Sequence, residues 1–443
     1  MDWLPKEIGS ALARLNAAGY EAYLVGGCVR DRQMGRQPGD YDIATSALPE
    51  ETEQVFSGER VLETGLRHGT VTVLLASRPI EITTFRVDGQ YTDGRHPDSV
   101  RFTRTLREDL ARRDFTVNAM AWSPETGLTD PFGGREDLEN RLIRCVGDPE
   151  KRFGEDALRI LRGLRFAAQL DFAIAPDTDK ALRALRGTLD RVSRERVFAE
   201  LGKLLCGKAA GRVLRSYPEM LGQVIPEIVP MVGFDQHNIH HIYDVWEHTA
   251  RVVDAIPPTR VLRLAALLHD IGKPACFRLD GAGTGHFRGH DIQGAQMADG
   301  ILRALRCGNA ERERIVKLIY HHDWNIPATA KGARRALARL GEADFFDLLV
   351  LKRADNLAQS PAYRGRQAEY DELERVAREL LAQKACLSLR DLAVRGGDLI
   401  ALGVPPGPKV GKALQTLLDA VLDGSVENDR DALLTVIRER MVK

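Results

Sequence analysis

No cysteine pair, no surplus of charge and no long apolar run marks these 443 residues. The six cysteines (28, 145, 206, 276, 307 and 386) are scattered and form no CxxC. That excludes a disulfide frame and a structural zinc site, and it fits reduced thiols in a cytoplasm. Lys plus Arg number 63 and Asp plus Glu 63, so the formal net charge is zero. A globally basic nucleic-acid coat is thereby excluded, whereas a local basic face is not. No apolar stretch is long enough to span a bilayer, and Met1-Asp2-Trp3-Leu4-Pro5 does not read as a signal peptide. The expected location is cytoplasmic, with no membrane partner and no obligate protein partner evident. Internal repeats and low-complexity tracts are also missing. What is present is 44% hydrophobic residues, enough at this length for roughly two to four packed domains.

The chain is organised around Tyr23 to Thr45. Tyr23-Leu24-Val25 is a short apolar run of the kind that forms a buried strand. Gly26-Gly27 ends it, and two residues without Cβ let backbone N–H groups approach a ligand and take φ > 0. Cys28 to Met34 suits one or two helical turns, and a turn-rich patch follows. A second strand then runs from Asp40. Side chains alternate along a strand, so Asp40 and Asp42 are expected on one face. Two adjacent carboxylates repel unless a cation lies between them, and all-oxygen ligands suit Mg²⁺. A Gly26-Gly27 turn for phosphates beside such a pair points to nucleotidyl transfer. A glycine pair or a D-x-D is commonplace alone; the combination within so short a stretch is specific.

Further strands are expected at 70–75 and 80–85, with Glu81 as a conceivable third carboxylate. Ala111 to Ala121 contains Arg112-Arg113-Asp114 and Asn118-Ala119. In it Arg113, planar and permanently charged, suits a phosphate or ribose contact. Asp130-Pro131-Phe132-Gly133-Gly134 reads as a turn. From about 146 the pattern turns helical, and residues 154–170 place Leu158, Leu161, Phe166 and Leu170 in a buried stripe. Asp156 precedes Arg159 by one turn, so their side chains are expected to meet on one helix, with Arg162 and Arg165 further along. Residues 183–215 carry nine Lys or Arg against three acids, a local basic face suited to an RNA backbone.

These motifs, in this order from residue 22 to about 205, resemble the class II tRNA nucleotidyltransferase and bacterial poly(A) polymerase family. The resemblance implies an α/β head with a mixed sheet, Mg²⁺ on Asp40 and Asp42, and phosphate contacts from Gly26, Gly27, Arg30 and Arg113. It also implies nucleotide contacts from Asp156, Arg159, Arg162 and Arg165. Tyr91 to Pro97 resembles the flexible loop that the family ties to A addition. The implied partners are tRNA, CTP and ATP, and the implied activity is untemplated addition of C, C and A to tRNA 3′ ends. An A-only enzyme and a poly(A) polymerase stay open.

Histidine clusters late: nine of the 11 lie between 237 and 322. His248, then Leu267-Leu268-His269-Asp270-Ile271-Gly272-Lys273, then Asp355, resemble the HD phosphohydrolase superfamily, an all-α fold. Neutral imidazoles with carboxylates suit a divalent transition metal and leave room for water and phosphate. The implied ligands are His248, His269, Asp270 and Asp355, and His290 and His322 sit where binuclear members carry more. The implied accessory chemistry is hydrolysis of phosphoester ends such as 2′,3′-cyclic phosphates. A stand-alone phosphohydrolase with a nucleotide-binding head is the alternative from another class. The expected organisation is a head to 145, a helical neck and body over 146–232, an HD-type domain over 233–385, and a helical tail over 386–443.

Overall fold

The computed structural model describes residues 3–65, 69–89 and 99–441. The segment 91–97 singled out above therefore lies outside the described residues. The chain forms two compact units, residues 1–229 and 230–443. All six cysteines are free, and no helix among the described residues is long and apolar enough to cross a membrane.

The first unit is built on a seven-stranded mixed sheet. Its strands are β1 (Ala22–Val25), β2 (Asp42–Thr45), β3 (Arg60–Gly65), β4 (Thr70–Leu75), β5 (Arg78–Thr84), β6 (Ala121–Ser123) and β7 (Gly127–Thr129), in the order β3-β4-β5-β2-β1-β6-β7. Strands β2 and β5 run parallel and the remaining neighbours antiparallel. Helix α1 (Lys6–Ala17) buries Ile8, Ala11, Leu12 and Leu15 against the core that holds Ile43, Val71, Val73, Ile80 and Ile82. The sequence pattern foretold four of these strands. The three-residue β6 and β7 are shorter than any run that period-two alternation can register. Helix α2 (Gly27–Gln33) follows β1 directly.

One local expectation is corrected. Strand β2 begins at Asp42, not Asp40. Asp40 precedes the strand and accepts the Tyr41 N–H through Oδ1 at 2.9 Å. Tyr41 is buried while Asp40 and Asp42 are exposed, so both carboxylates still face the same way.

Beyond the sheet come α3 (Pro149–Glu155), α4 (Leu158–Leu170) and α5 (Arg194–Leu205), with α4 packed on α5. The stripe Leu158, Leu161, Phe166 and Leu170 is buried as expected, but Arg159 and Arg165 are buried too. The second unit is helical apart from a short strand pair, Arg278–Leu279 with Gly285–His286. The helices used below are α6 (Val245–Ala255), α7 (Arg260–Leu268), α8 (His290–Ala304), α9 (Asn309–His321) and α10 (Glu342–Ala358).

Candidate active site

An open cleft of about 710 Å³ lies within the first unit, and the ten head and neck residues assigned to metal or nucleotide line it, whereas Glu81 is not among its lining residues. Asp42 opens β2 at the cleft, and in the parallel register its partner on β5 is Glu81. Although its side chain reaches solvent, the surrounding protein withdraws Asp42 from bulk water and pushes its carboxyl above the ordinary range. Asp40 adds to that push, Arg113 opposes it, and Glu81 adds again. An Asp42 carboxylate repelled by both Asp40 and Glu81, with only oxygen donors among the three, fits a hard divalent cation.

Gly26 has φ +76°, ψ −131°, a backbone that L side chains rarely adopt. An added Cβ would also stand 2.9 Å from Arg113 Nη1. The turn requires the glycine, and a Cβ there would push the Arg113 guanidinium aside. Gly26→Ala is expected to displace Arg113 and raise the KM for CTP and ATP by roughly tenfold, about 1.4 kcal/mol. Steady-state kinetics with each nucleotide checks this; unchanged KM values would count against the phosphate contact expected of Arg113. Arg30 is held by Asp31 at 2.8 Å and donates to Asn118 Oδ1 at 2.8 Å.

The turn at Asp130 positions the neighbouring motif. Asp130 accepts the N–H groups of Gly134 and Arg135, each at 2.8 Å. A Cβ on Gly134 would lie 2.2 Å from the Thr116 carbonyl, so only glycine lets the turn pack on Thr116–Asn118. Asp114 is buried. Burial alone would raise its pKa, but the Arg162 guanidinium, 2.6 Å away, holds its carboxyl below the usual range.

The geometry of Asp156 differs from the expectation of one continuous helix. Asp156 sits in an extended break between α3 and α4, with φ −143° and ψ 105°. Its Oδ1 accepts the Leu158 N–H at 3.0 Å, capping α4, and its Oδ2 pairs with Arg196 of α5 at 2.7 Å. Arg159 turns instead to Glu155 at 2.7 Å and to the carbonyls of Arg152 and Arg112, both at 3.1 Å. Arg165 is locked on Glu200 of α5 at 2.6 Å. An aspartate just before an apolar run is a helix-start signal, and Gly154 before it is a breaker; together they could have revealed the break. Arg112, Asp114 and Asn118 of the motif quoted from the sequence also line the cleft, as do Arg196 and Lys203 of the basic stretch, of which Lys203 belongs to no motif.

In the second unit five helices bring six candidate ligands together. His248 is on α6, His269 caps α7, His290 opens α8, His322 caps α9, and Asp355 is on α10. Asp270 Oδ2 lies 3.1 Å from His269 Nε2 and 3.5 Å from His248 Nε2. Its Oδ1 lies 3.6 and 3.7 Å from His290 Nε2 and His322 Nε2. His248 Nε2 is 2.9 Å from Asp355 Oδ1. One carboxylate therefore faces two groups of three ligands, His248/His269/Asp270 and Asp270/His290/His322.

Backbone carbonyls fix the imidazoles. His269, His290 and His322 donate Nδ1–H to Ala266, Phe287 and Ile319 at 2.8, 2.8 and 2.6 Å. Their Nε2 atoms are thus free to ligate. His269 Nε2 is buried without a hydrogen-bond partner, and the lone pairs of His290 and His322 meet at 3.0 Å. These orphaned nitrogens fit a bound cation. Gly272 allows the arrangement, since a Cβ there would lie 2.4 Å from the His290 carbonyl. The adjoining pocket, about 260 Å³, is lined by Lys273, Arg288 and His241 beside the ligands.

Comparison with known proteins supports the nucleotidyltransferase reading and leaves the HD resemblance of the second unit unmatched by the family models named here. The family model for the Poly A polymerase head domain matches residues 22–144. The model described as 'Probable RNA and SrmB-binding site of polymerase A' matches 171–228, and the one described as 'tRNA nucleotidyltransferase domain 2 putative' matches 294–437. The chain is 34% identical to the CCA-adding enzyme of Streptococcus thermophilus over 99% of its own length and 98% of that protein. It is 35% identical to that of Leuconostoc mesenteroides over 98% and 97%. Among solved structures, the Bacillus stearothermophilus CCA-adding enzyme in complex with CTP is 33% identical, with a TM-score of 0.76 over 98% of this chain and 97% of that one.

Proposed function

The chain belongs to the CCA-adding enzymes, a family of tRNA nucleotidyltransferases, and on that premise we propose how its first unit adds C, C and A to tRNA 3′ ends from CTP and ATP. The observation that carries the reading is that one cleft gathers the Asp40/Asp42 pair, the Gly26–Arg113 contact and the Asp156–Arg159 junction. Asp40 and Asp42, with Glu81 beside them, would hold Mg²⁺. A divalent cation there neutralises triphosphate charge and favours the ionised 3′-hydroxyl. Gly26, Gly27, Arg30 and Arg113 receive the phosphates. Asp156 accepts from the exocyclic amino group shared by cytosine and adenine, and Arg159 donates to the neighbouring ring nitrogen. Catalysis is then mostly positioning and charge neutralisation.

The test uses labelled CTP and ATP with tRNAs ending in the discriminator base, C or CC. Additions of three, two and one residues are the expected result. A single A regardless of primer, or a long A tail, would replace the reading by an A-only or poly(A) enzyme.

We further propose that the second unit is a metal-dependent phosphohydrolase, favoured by the orphaned imidazole nitrogens around Asp270. His248, His269, Asp270 and Asp355 would hold a divalent transition metal, with His290 and His322 as ligands of a second. Such a cation polarises a phosphoester oxygen and activates water. Lys273, 2.7 Å from Asp270 Oδ2, balances the buried negative charge, and Arg288 and His241 offer donors to a phosphate such as a 2′,3′-cyclic end. Asp270→Ala is expected to abolish hydrolysis and to empty the site in metal analysis. Nucleotide addition should stay within about twofold, because the two compact units hold separate sites. Wild-type protein that purifies without transition metal, and gains no hydrolysis when one is added, would leave this unit a scaffold.

A further inference from the structure

Eight arginine and lysine side chains line the cleft of the first unit. Seven of them hold a carboxylate at 2.6 to 3.5 Å. These guanidiniums are held in place by their acids: each keeps N–H donors for a nucleotide, but it cannot move without leaving an acid unpaired in or near a protein interior. Lys203 is the exception among the described residues. Its ammonium lies 3.9 Å from Glu200 Oε1, and the other oxygen of that carboxylate already holds Arg165 at 2.6 Å. The Lys203 side chain is 59% exposed.

Its position adds a second observation. Lys203 stands on α5 two turns beyond Arg196, and both line the cleft. Helix α5 lies inside the 171–228 match to an RNA-binding segment. Of the cleft cations on that segment, Arg196 is spent on Asp156, which leaves Lys203 available.

We infer that Lys203 holds a backbone phosphate of the RNA strand being extended, where that strand enters the cleft. The inference rests on the cleft being the site of nucleotide addition. A phosphodiester needs a cation but no particular fork geometry. A strand that lengthens by three residues also shifts its phosphates along the wall as it grows. A compact ammonium on a flexible four-carbon stem can follow such a shift, whereas the paired arginines cannot.

The experiment measures binding of the full chain to a fluorescent tRNA ending in the discriminator base, across roughly 50 to 200 mM salt. Each phosphate contact with a single strand contributes about 0.7 to the slope of log Kd against log salt. Lys203→Gln and Lys203→Glu should flatten that slope by about this amount, and Lys203→Arg should restore it. In kinetics, the KM for RNA should rise several-fold more than the KM for CTP. An unchanged slope in both neutral and acidic variants overturns the inference. An equal rise in the KM for CTP overturns it as well, by assigning Lys203 to the nucleotide. If wild-type protein extends no tRNA, the reading of the cleft itself fails. If it extends tRNA and the slope does not move, only the role of Lys203 fails. Thermal melting of each variant separates a charge effect from a folding defect.

Discussion

Asp42→Asn is expected to lower nucleotide addition by about a thousandfold or more, a loss of roughly 4 kcal/mol in transition-state stabilisation, while tRNA binding persists. Asparagine keeps the shape and one oxygen ligand but removes the charge. The site depends on charge: burial first, and then the neighbouring Asp40 and Glu81 carboxylates, push the Asp42 carboxyl above its ordinary range. A divalent cation relieves the repulsion, and each carboxylate lost weakens its hold. The fold should survive, because Asp42 is exposed at the start of β2 and the core neighbours Ile43 and Tyr41 are untouched. Single-turnover rates at rising Mg²⁺, beside tRNA binding, are the measurement. Wild-type turnover at saturating Mg²⁺ would sink the assignment, and loss of tRNA binding as well would point to a damaged fold.

The second large effect is on selectivity. Asp156→Asn should shrink the preference for CTP and ATP over UTP and GTP by two powers of ten or more. Cytosine and adenine present an amino donor beside an unprotonated ring nitrogen. Uracil and guanine present a carbonyl beside a ring N–H. A carboxylate only accepts and a guanidinium only donates, so the wrong bases set acceptor against acceptor and donor against donor. Each such mismatch costs about 1–3 kcal/mol, and two together give discrimination of order 10² to 10⁴. Asparagine offers one acceptor and one donor group, so it can satisfy either edge.

Asparagine is also the cleaner variant structurally. The Asp156 carboxylate caps α4 through the Leu158 N–H, a contact whose loss to alanine would cost about 1 kcal/mol. An amide oxygen keeps the cap, whereas the ion pair to Arg196 is lost. Incorporation of all four nucleotides, measured singly and in competition, decides the matter. Full selectivity in the variant would make Asp156 a helix cap and ion-pair partner and nothing more.

The sequence by itself determined the elements whose signals are local. Gly26-Gly27 after an apolar strand, two acids flanking Tyr41, and histidines one helix turn from a carbonyl each depend on a few neighbouring residues. Their geometry follows from strand alternation and helix pitch. That is why Asp40 and Asp42 share a face even though the strand starts two residues later than expected.

Tertiary structure alone decided which charges pair. Asp156 had Arg159, Arg162, Arg165 and Arg196 within reach in principle, and local spacing favoured the first. The break at Asp156 and the packing of α5 on α4 selected Arg196 instead, forty residues on. The same packing spent Arg165 on Glu200 and left Lys203 at 3.9 Å. In the second unit Asp270 faces two ligand groups only because five helices converge on it. Ion pairs between many like candidates are chosen by helix placement, a long-range property that residue spacing does not encode.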